Sequence, residues 1–281
     1  MLQLKVRLPS VWNFTMVFYS YHSALIFLFL LFFNTFAEAA PISPETGQQI
    51  MQKAEERDRG FGDYTASMRM VLHNKQGEKS ERSIRVMVME GVEDGDKTLA
   101  IFDTPADVKG TAFLTHSRKA SDDDQWLYLP ALKRVKRIAP RNKSGSFMGS
   151  EFSYEDIGGR VLEKYEYKRL EDAPLEGQDC FVIEEHPKDA ENSGYSKLVT
   201  WLDKQDYKIL KVEYYDRKQA VLKTLTSMDY QKYSDKYWRA AEMYMYNHQT
   251  GKSTTLYWSK YDFGKGLTDR DFDKNSLSRA R

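Results

Sequence analysis

The chain has 281 residues with 42 basic and 41 acidic side chains, 41% hydrophobic and 14% aromatic, enough for one sizeable core and without the net charge that attracts polyanions. That balance excludes a general nucleic-acid binder. A single cysteine, Cys180, excludes an internal disulfide, so the fold rests on its apolar core.

Lys5 and Arg7 precede the apolar run Ala24–Phe33, and Ala37-Glu38-Ala39 forms an A-x-A site, the layout of an export signal. Residues 1–39 are therefore expected to be cleaved off, leaving residues 40–281 as one soluble domain. A retained anchor is the competing reading, because Trp12–Tyr21 lengthens the greasy stretch, although Ser20, His22 and Ser23 interrupt it. No cysteine follows the signal to carry a lipid anchor, and an exported chain without disulfides fits a bacterial periplasm.

Pro41–Gly60 predicts one helix with Ser43 as N-cap, Pro44 in the first turn and Gly60 as its stop. Ile50, Met51 and Ala54 give it a narrow apolar stripe, suited to lying across a sheet. From Asp63 the period becomes two. Tyr64, Ala66, Met68, Met70 and Leu72 alternate with polar residues, Asn74–Ser80 is a turn, and Ile84, Val86 and Val88 form the returning arm. Shorter runs follow at Thr98–Asp103 and Thr111–His116. Then comes the most informative stretch, Trp126–Asp156: an aromatic strand ended by Pro130, a basic strand at Arg134–Ile138, and a Gly/Ser-rich loop at Ser144–Ser150. Val161–Arg169 reads as helix or strand. Cys180–Glu185, Lys197–Asp203, Ile209–Asp216, Ala220–Tyr230, Tyr237–Asn247 and Ser253–Asp262 read as strands, and Phe272–Arg281 as a polar, frayed tail.

Roughly ten or eleven antiparallel strands are predicted in one domain of mainly β with α class. A sheet that long coils, because twist accumulates, so the expected architecture is a long curved antiparallel sheet, a half-open barrel whose hollow a helix plugs or lids. The inward positions expected to line a lipid cavity are Met68, Met70, Val86, Val88, Leu198, Leu202, Met243 and Met245, with Trp126 at its rim; flexible thioethers suit acyl chains, though ordinary core filling uses them too. Lys133, Arg134, Lys136 and Arg137 form the strongest local charge asymmetry. They fit contact with a lipid headgroup, a membrane or an acidic partner, or simple protection of an edge strand.

Catalytic signals are weak: the histidines have no metal-ligand spacing, Cys180 sits in the apolar run CFVIEE, and no G-x-S-x-G occurs. A lipid hydrolase would need Ser146 or Ser150 to meet His116 in space. No catalytic residue, metal or cofactor is assigned.

Over nearly the whole mature chain the sequence resembles the bacterial outer-membrane lipoprotein-sorting proteins of the LolA-like superfamily, in the larger branch associated with RND/MMPL-type exporters. The resemblance is carried by Thr104-Pro105 through Lys109-Gly110-Thr111-Ala112-Phe113-Leu114, then Trp126-Leu127-Tyr128-Leu129-Pro130, Arg134-Val135 with Arg137-Ile138, Phe147-Met148-Gly149-Ser150 with Phe152, and Glu155-Asp156. It implies a LolA/LolB-like half-open barrel with a helical plug, no cofactor, and a non-catalytic carrier of lipoprotein acyl chains or other lipid in the Gram-negative periplasm. An RND/MMPL-type exporter and transient membrane contact are the partners it implies. It also implies a barrel arginine that latches the lid, a position that Arg69, Arg85 and Arg134, all on strands, leave open.

Overall fold

The computed structural model describes residues 44–279, so the expected export signal lies outside the described residues. The first helix, α1 (Gly47–Asp58), begins three residues later than Ser43 would set it, at Thr46. Thr46 accepts the Gln49 amide at 3.2 Å while the Gln49 side chain accepts the Thr46 amide at 2.9 Å, so two otherwise orphaned donors are satisfied at once. Ile50 and Met51 are buried, and Gly60, at a φ of +91° that a β-carbon strains, follows the last turn.

Thirteen strands follow, two or three more than expected. They are β1 (Asp63–His73), β2 (Lys79–Met89), β3 (Lys97–Thr104), β4 (Ala112–His116), β5 (Asp124–Leu129), β6 (Arg134–Ile138), β7 (Tyr165–Arg169), β8 (Cys180–Pro187), β9 (Tyr195–Asp203), β10 (Ile209–Asp216), β11 (Val221–Tyr233), β12 (Tyr237–Asn247) and β13 (Ser253–Phe263). The ambiguous stretch at 161–169 resolves into a single 3-10 turn, Leu162–Lys164, and the short strand β7. One antiparallel sheet runs β6-β5-β4-β3-β2-β1-β13-β12-β11-β10-β9-β8-β7. Two meanders therefore meet along β1 and β13, where Met68 pairs with Trp258, and the outer strands β6 and β7 stay unjoined. The barrel is half-open.

The inner face of the sheet carries the main core: Met68 and Met70 from β1, Ile84, Val86 and Val88 from β2, Phe102 from β3, Phe113 from β4, Leu127 from β5, and Leu198, Val212, Leu225, Met245 and Leu256 from the second meander. The segment between β6 and β7 supplies Phe147 and Phe152 to that core, both almost fully buried, and a one-turn helix, α2 (Tyr154–Ile157), that Ser153 caps. Phe147 lies 5.1 Å from the Phe113 ring and 6.0 Å from that of Phe102. The stretch read as a Gly/Ser-rich loop is thus the plug.

On the outer face of β3 to β5 a second apolar cluster joins Leu99, Ile101, Ala112 and Leu114 to Phe272 and Leu277. The C-terminal segment is not frayed: Phe272 and Leu277 are each 1% exposed, Lys97 pairs with Asp269, and His116 Nε2 donates to the Phe272 carbonyl at 2.8 Å. Two apolar anchors outweigh its polar composition, since each fully buried large side chain contributes about 1.5–3 kcal/mol. Cys180 is buried and its thiol is pushed up by burial, as a core residue's would be.

Candidate functional site

Strand pairing puts Met68, Met70, Val86, Val88, Leu198, Leu202, Met243 and Met245 on one face, the inner one, but they do not share one space. Met70 and Met245 are fully buried in the core that Phe147 and Phe152 complete. Leu202 packs with Ile50, Met51 and Ile183 beneath α1. Trp126 departs from expectation. Pairing of Leu127 with Phe113 turns Leu127 inward and Trp126 outward, where its ring meets His116 at 5.2 Å and Lys274 lies 5.7 Å above it. Met87 and Met89 are likewise on the outer face.

A buried polar network holds the plug. Lys223, on β11 and facing inward, pairs with Asp156 at 2.5 Å, both side chains 4% exposed, and donates to the Glu151 carbonyl at 3.0 Å. Asp156 also accepts from the Tyr195 hydroxyl and the Ser153 amide, each at 2.7 Å, so the buried carboxylate is fully engaged. Burial and the adjacent Asp156 charge push the Tyr195 hydroxyl far above its ordinary value. Glu185, on β8 and wholly buried, forms an ion pair with Arg160 at 3.1 Å and accepts from the Thr200 hydroxyl. The arginine in this pair belongs to the plug segment, and its partner belongs to the barrel. Arg69 and Arg85 are on the outer face, paired with Glu81 and Asp103. Sequence reasoning missed Lys223 and Glu185; their signal is a charge at an inward position, Lys223 in phase with Leu225 and Glu185 with Ile183.

Where the plug ends, a hollow of about 530 Å³ remains between α1, the Ile157–Glu163 segment and the inner sheet. Phe61, Tyr64, Val86, Val88, Trp238 and Trp258 give it apolar walls. Phe61 lies 5.5 Å from Tyr64, whose hydroxyl is pushed up to about 12 by burial. Arg239, paired with Asp58 of α1, sits 5.6 Å above both rings. A second groove of about 350 Å³ runs between the ends of β5 and β6 and those of β7 and β8. The two spaces share Lys119, Gly159, Val161 and Glu163.

The basic residues divide by strand alternation. Arg134 and Lys136 take the inward phase of the edge strand β6, whereas Arg137 turns outward and pairs with Asp124 at 2.7 Å. Lys133 is the left-handed residue that closes the turn, at φ 49°. Beside them Leu132 is 67% and Val135 37% exposed, two of only four exposed large hydrophobic residues among the described residues. Ser146 and Ser150 do not meet His116. Their hydroxyls donate to the carbonyls of Ser150 and Phe147, and His116 is held by Phe272.

A solved structure of an outer membrane lipoprotein-sorting protein domain from Vibrio parahaemolyticus is similar at 57% identity, covering 83% of this chain and 98% of that one, with a TM-score of 0.81. The chain belongs to the outer-membrane lipoprotein-sorting family. A DUF1329 family protein from Desulfovibrio piger is 30% identical over 82% of this chain and 97% of its own, with a TM-score of 0.77. A family model described as "Uncharacterized protein" matches residues 94–279. A LolA superfamily protein from Nitrosomonas europaea, 19% identical over 82% of this chain and 99% of its own with a TM-score of 0.67, shares the fold. No curated protein matches the sequence. Among the described residues no helix is long and apolar enough to cross a membrane.

Proposed function

We propose that this member of the lipoprotein-sorting family is a non-catalytic periplasmic carrier that takes acyl chains of lipoproteins or other lipids into its hollow and passes them toward the outer membrane. The observation that supports this most directly is the hollow of about 530 Å³ walled by Phe61, Tyr64, Val86, Val88, Trp238 and Trp258. That volume falls within the range of about 300–1,000 Å³ in which proteins hold small ligands, and each methylene removed from water contributes about 0.8 kcal/mol. Even part of one chain supplies useful affinity. Val86 and Val88 are the expected cavity residues that line the hollow, while Met68, Met70 and Met245 contribute to the packed core beside it. Lys133, Arg134 and Lys136 are assigned to headgroup or membrane contact on the strength of their place at the free edge.

Mature protein purified from a membrane-containing lysate should carry lipid by native mass spectrometry and take up a neutral fluorescent alkyl probe. Val88→Trp should weaken uptake about tenfold, a change of about 1.4 kcal/mol. Finding neither bound lipid nor uptake rejects the reading.

Exposure of Leu132 and Val135 beside unpaired cations favours a second reading, in which β6 docks on an RND/MMPL-type exporter and no lipid is bound. There, Arg134→Glu with Arg137→Glu abolishes function while Val88→Trp remains active.

A further inference from the structure

The charges around the two joined spaces are almost all matched. Among the seven cations lining the apolar hollow, Arg59 pairs with Glu55, Arg160 with Glu185, Lys208 with Asp206 at 3.1 Å, and Arg239 with Asp58. Arg57 donates to the Gln205 carbonyl and Lys236 to that of Arg59. In the second groove, Lys143 pairs with Asp189 at 3.0 Å, Lys164 with Asp123 at 2.5 Å, and Lys188 donates to the Glu163 carbonyl at 2.7 Å. Among the described residues the ammonium of Lys119 has no such partner, and Lys119 is half-buried at the junction that both spaces share. The carboxylate of Glu163, at the same junction, has none either, and Asp122 in the groove is a second free carboxylate. The loop bearing Lys119 is fixed: its amide donates to Asp94 at 2.8 Å, and the Ser117 hydroxyl donates to the Gly158 carbonyl at 2.7 Å.

Lys119, half-buried as a residue, is the one cation of this lining with neither a counter-charge nor a carbonyl partner among the described residues, so its place at the junction marks where an anion from outside is received. The carboxylates of Glu163 and Asp122, exposed and unpaired among the described residues, line the same groove and can meet a cationic group that a ligand brings. We infer that the groove is a headgroup subsite for a zwitterionic phospholipid, with Lys119 receiving the phosphate and Glu163, backed by Asp122, receiving the ammonium, while an acyl chain occupies the apolar hollow. A headgroup with the phosphate but no ammonium meets Lys119 equally well and gives the two carboxylates no counter-charge, which makes the junction selective for the zwitterion. This inference rests on the carrier reading and deepens it by naming a ligand class.

The test is competition between phosphatidylethanolamine and phosphatidylglycerol with identical acyl chains, offered together in mixed vesicles and read by native mass spectrometry, with the neutral alkyl probe in parallel. The wild-type protein is expected to retain phosphatidylethanolamine about two- to fivefold over phosphatidylglycerol, the scale of one partly exposed ion pair. Lys119→Glu should lower retention of both, and Glu163→Lys should shift the ratio toward phosphatidylglycerol, each retention being normalised to that variant's own alkyl-probe uptake because both residues also border the hollow. Equal retention by the wild-type protein, or a ratio unmoved by Glu163→Lys, overturns the headgroup assignment while leaving the carrier reading intact. Absence of alkyl-probe uptake by the wild-type protein overturns the carrier reading itself.

Discussion

The two halves of the inner face are built from the same kinds of residue and reach different ends. In one half the chain fills its own hollow: Phe147 and Phe152 enter the barrel, and Lys223, Asp156, Tyr195 and Ser153 satisfy one another beneath them. In the other, α1 and the Ile157–Glu163 segment arch over Tyr64, Val86, Val88 and Trp258 and leave space. The difference is one of polar accounting. The filled half buries matched charges beneath the plug, while the hollow half leaves open space between matched pairs such as Arg239 with Asp58 and Arg160 with Glu185. A curved sheet alone does not make a carrier; where the plug stops does.

Breaking the filled half should cost most. Phe147→Ala leaves a void among Phe102, Phe113 and Tyr154 and should lower stability by about 3–5 kcal/mol in urea unfolding. Lys223→Met strands a buried Asp156 carboxylate and should cost a similar amount, about 3–5 kcal/mol, whereas replacing both partners with apolar residues should recover much of it.

The rim should respond to pH instead. Burial raises the Asp96 carboxyl above its ordinary value, although the Gly91 amide bonds it at 2.9 Å. The folded protein therefore holds this proton more tightly than the unfolded chain does. That contribution to stability is complete below the unfolded value of 3.8 and is lost as pH rises through the folded one. Asp96→Asn should accordingly gain stability over wild type at pH 7.5 and lose that advantage near pH 4, measured as paired urea midpoints. Smallest of all should be Leu132→Asp at the exposed edge, within about 0.5 kcal/mol of wild type by urea unfolding, even where it impairs docking.

Much of this is legible in the sequence because period-two alternation marks the inner face: along Tyr64 through Leu72 and Ile84 through Val88 the opposite phase carries Thr65, Ser67, Arg69 and Arg85. Where alternation lacks a polar mark, it misleads. In Trp126-Leu127-Tyr128-Leu129 every residue is large and apolar, so nothing local shows that Leu127 turns in and Trp126 out. The C-terminal segment has the opposite problem, two apolar anchors scattered through polar residues, whose value appears only when β3 to β5 present an outer apolar face. The rim is the least legible part. Lys119 reads as one more loop lysine until the partners of every neighbouring charge are known.

The unlike edges of the sheet carry a consequence for how molecules of this protein meet. At β7 the first turn of α1 packs onto the strand so tightly that a β-carbon at Gly47 would lie 2.8 Å from the Arg169 nitrogen. At β6 the backbone edge is free, and its side chains are mostly cationic. Two copies joining through β6 would set arginine and lysine against arginine and lysine, and the packed edge offers no second point from which a stack could grow. An incomplete barrel leaves two strand edges open to addition, and here α1 packs onto one while like charges line the other.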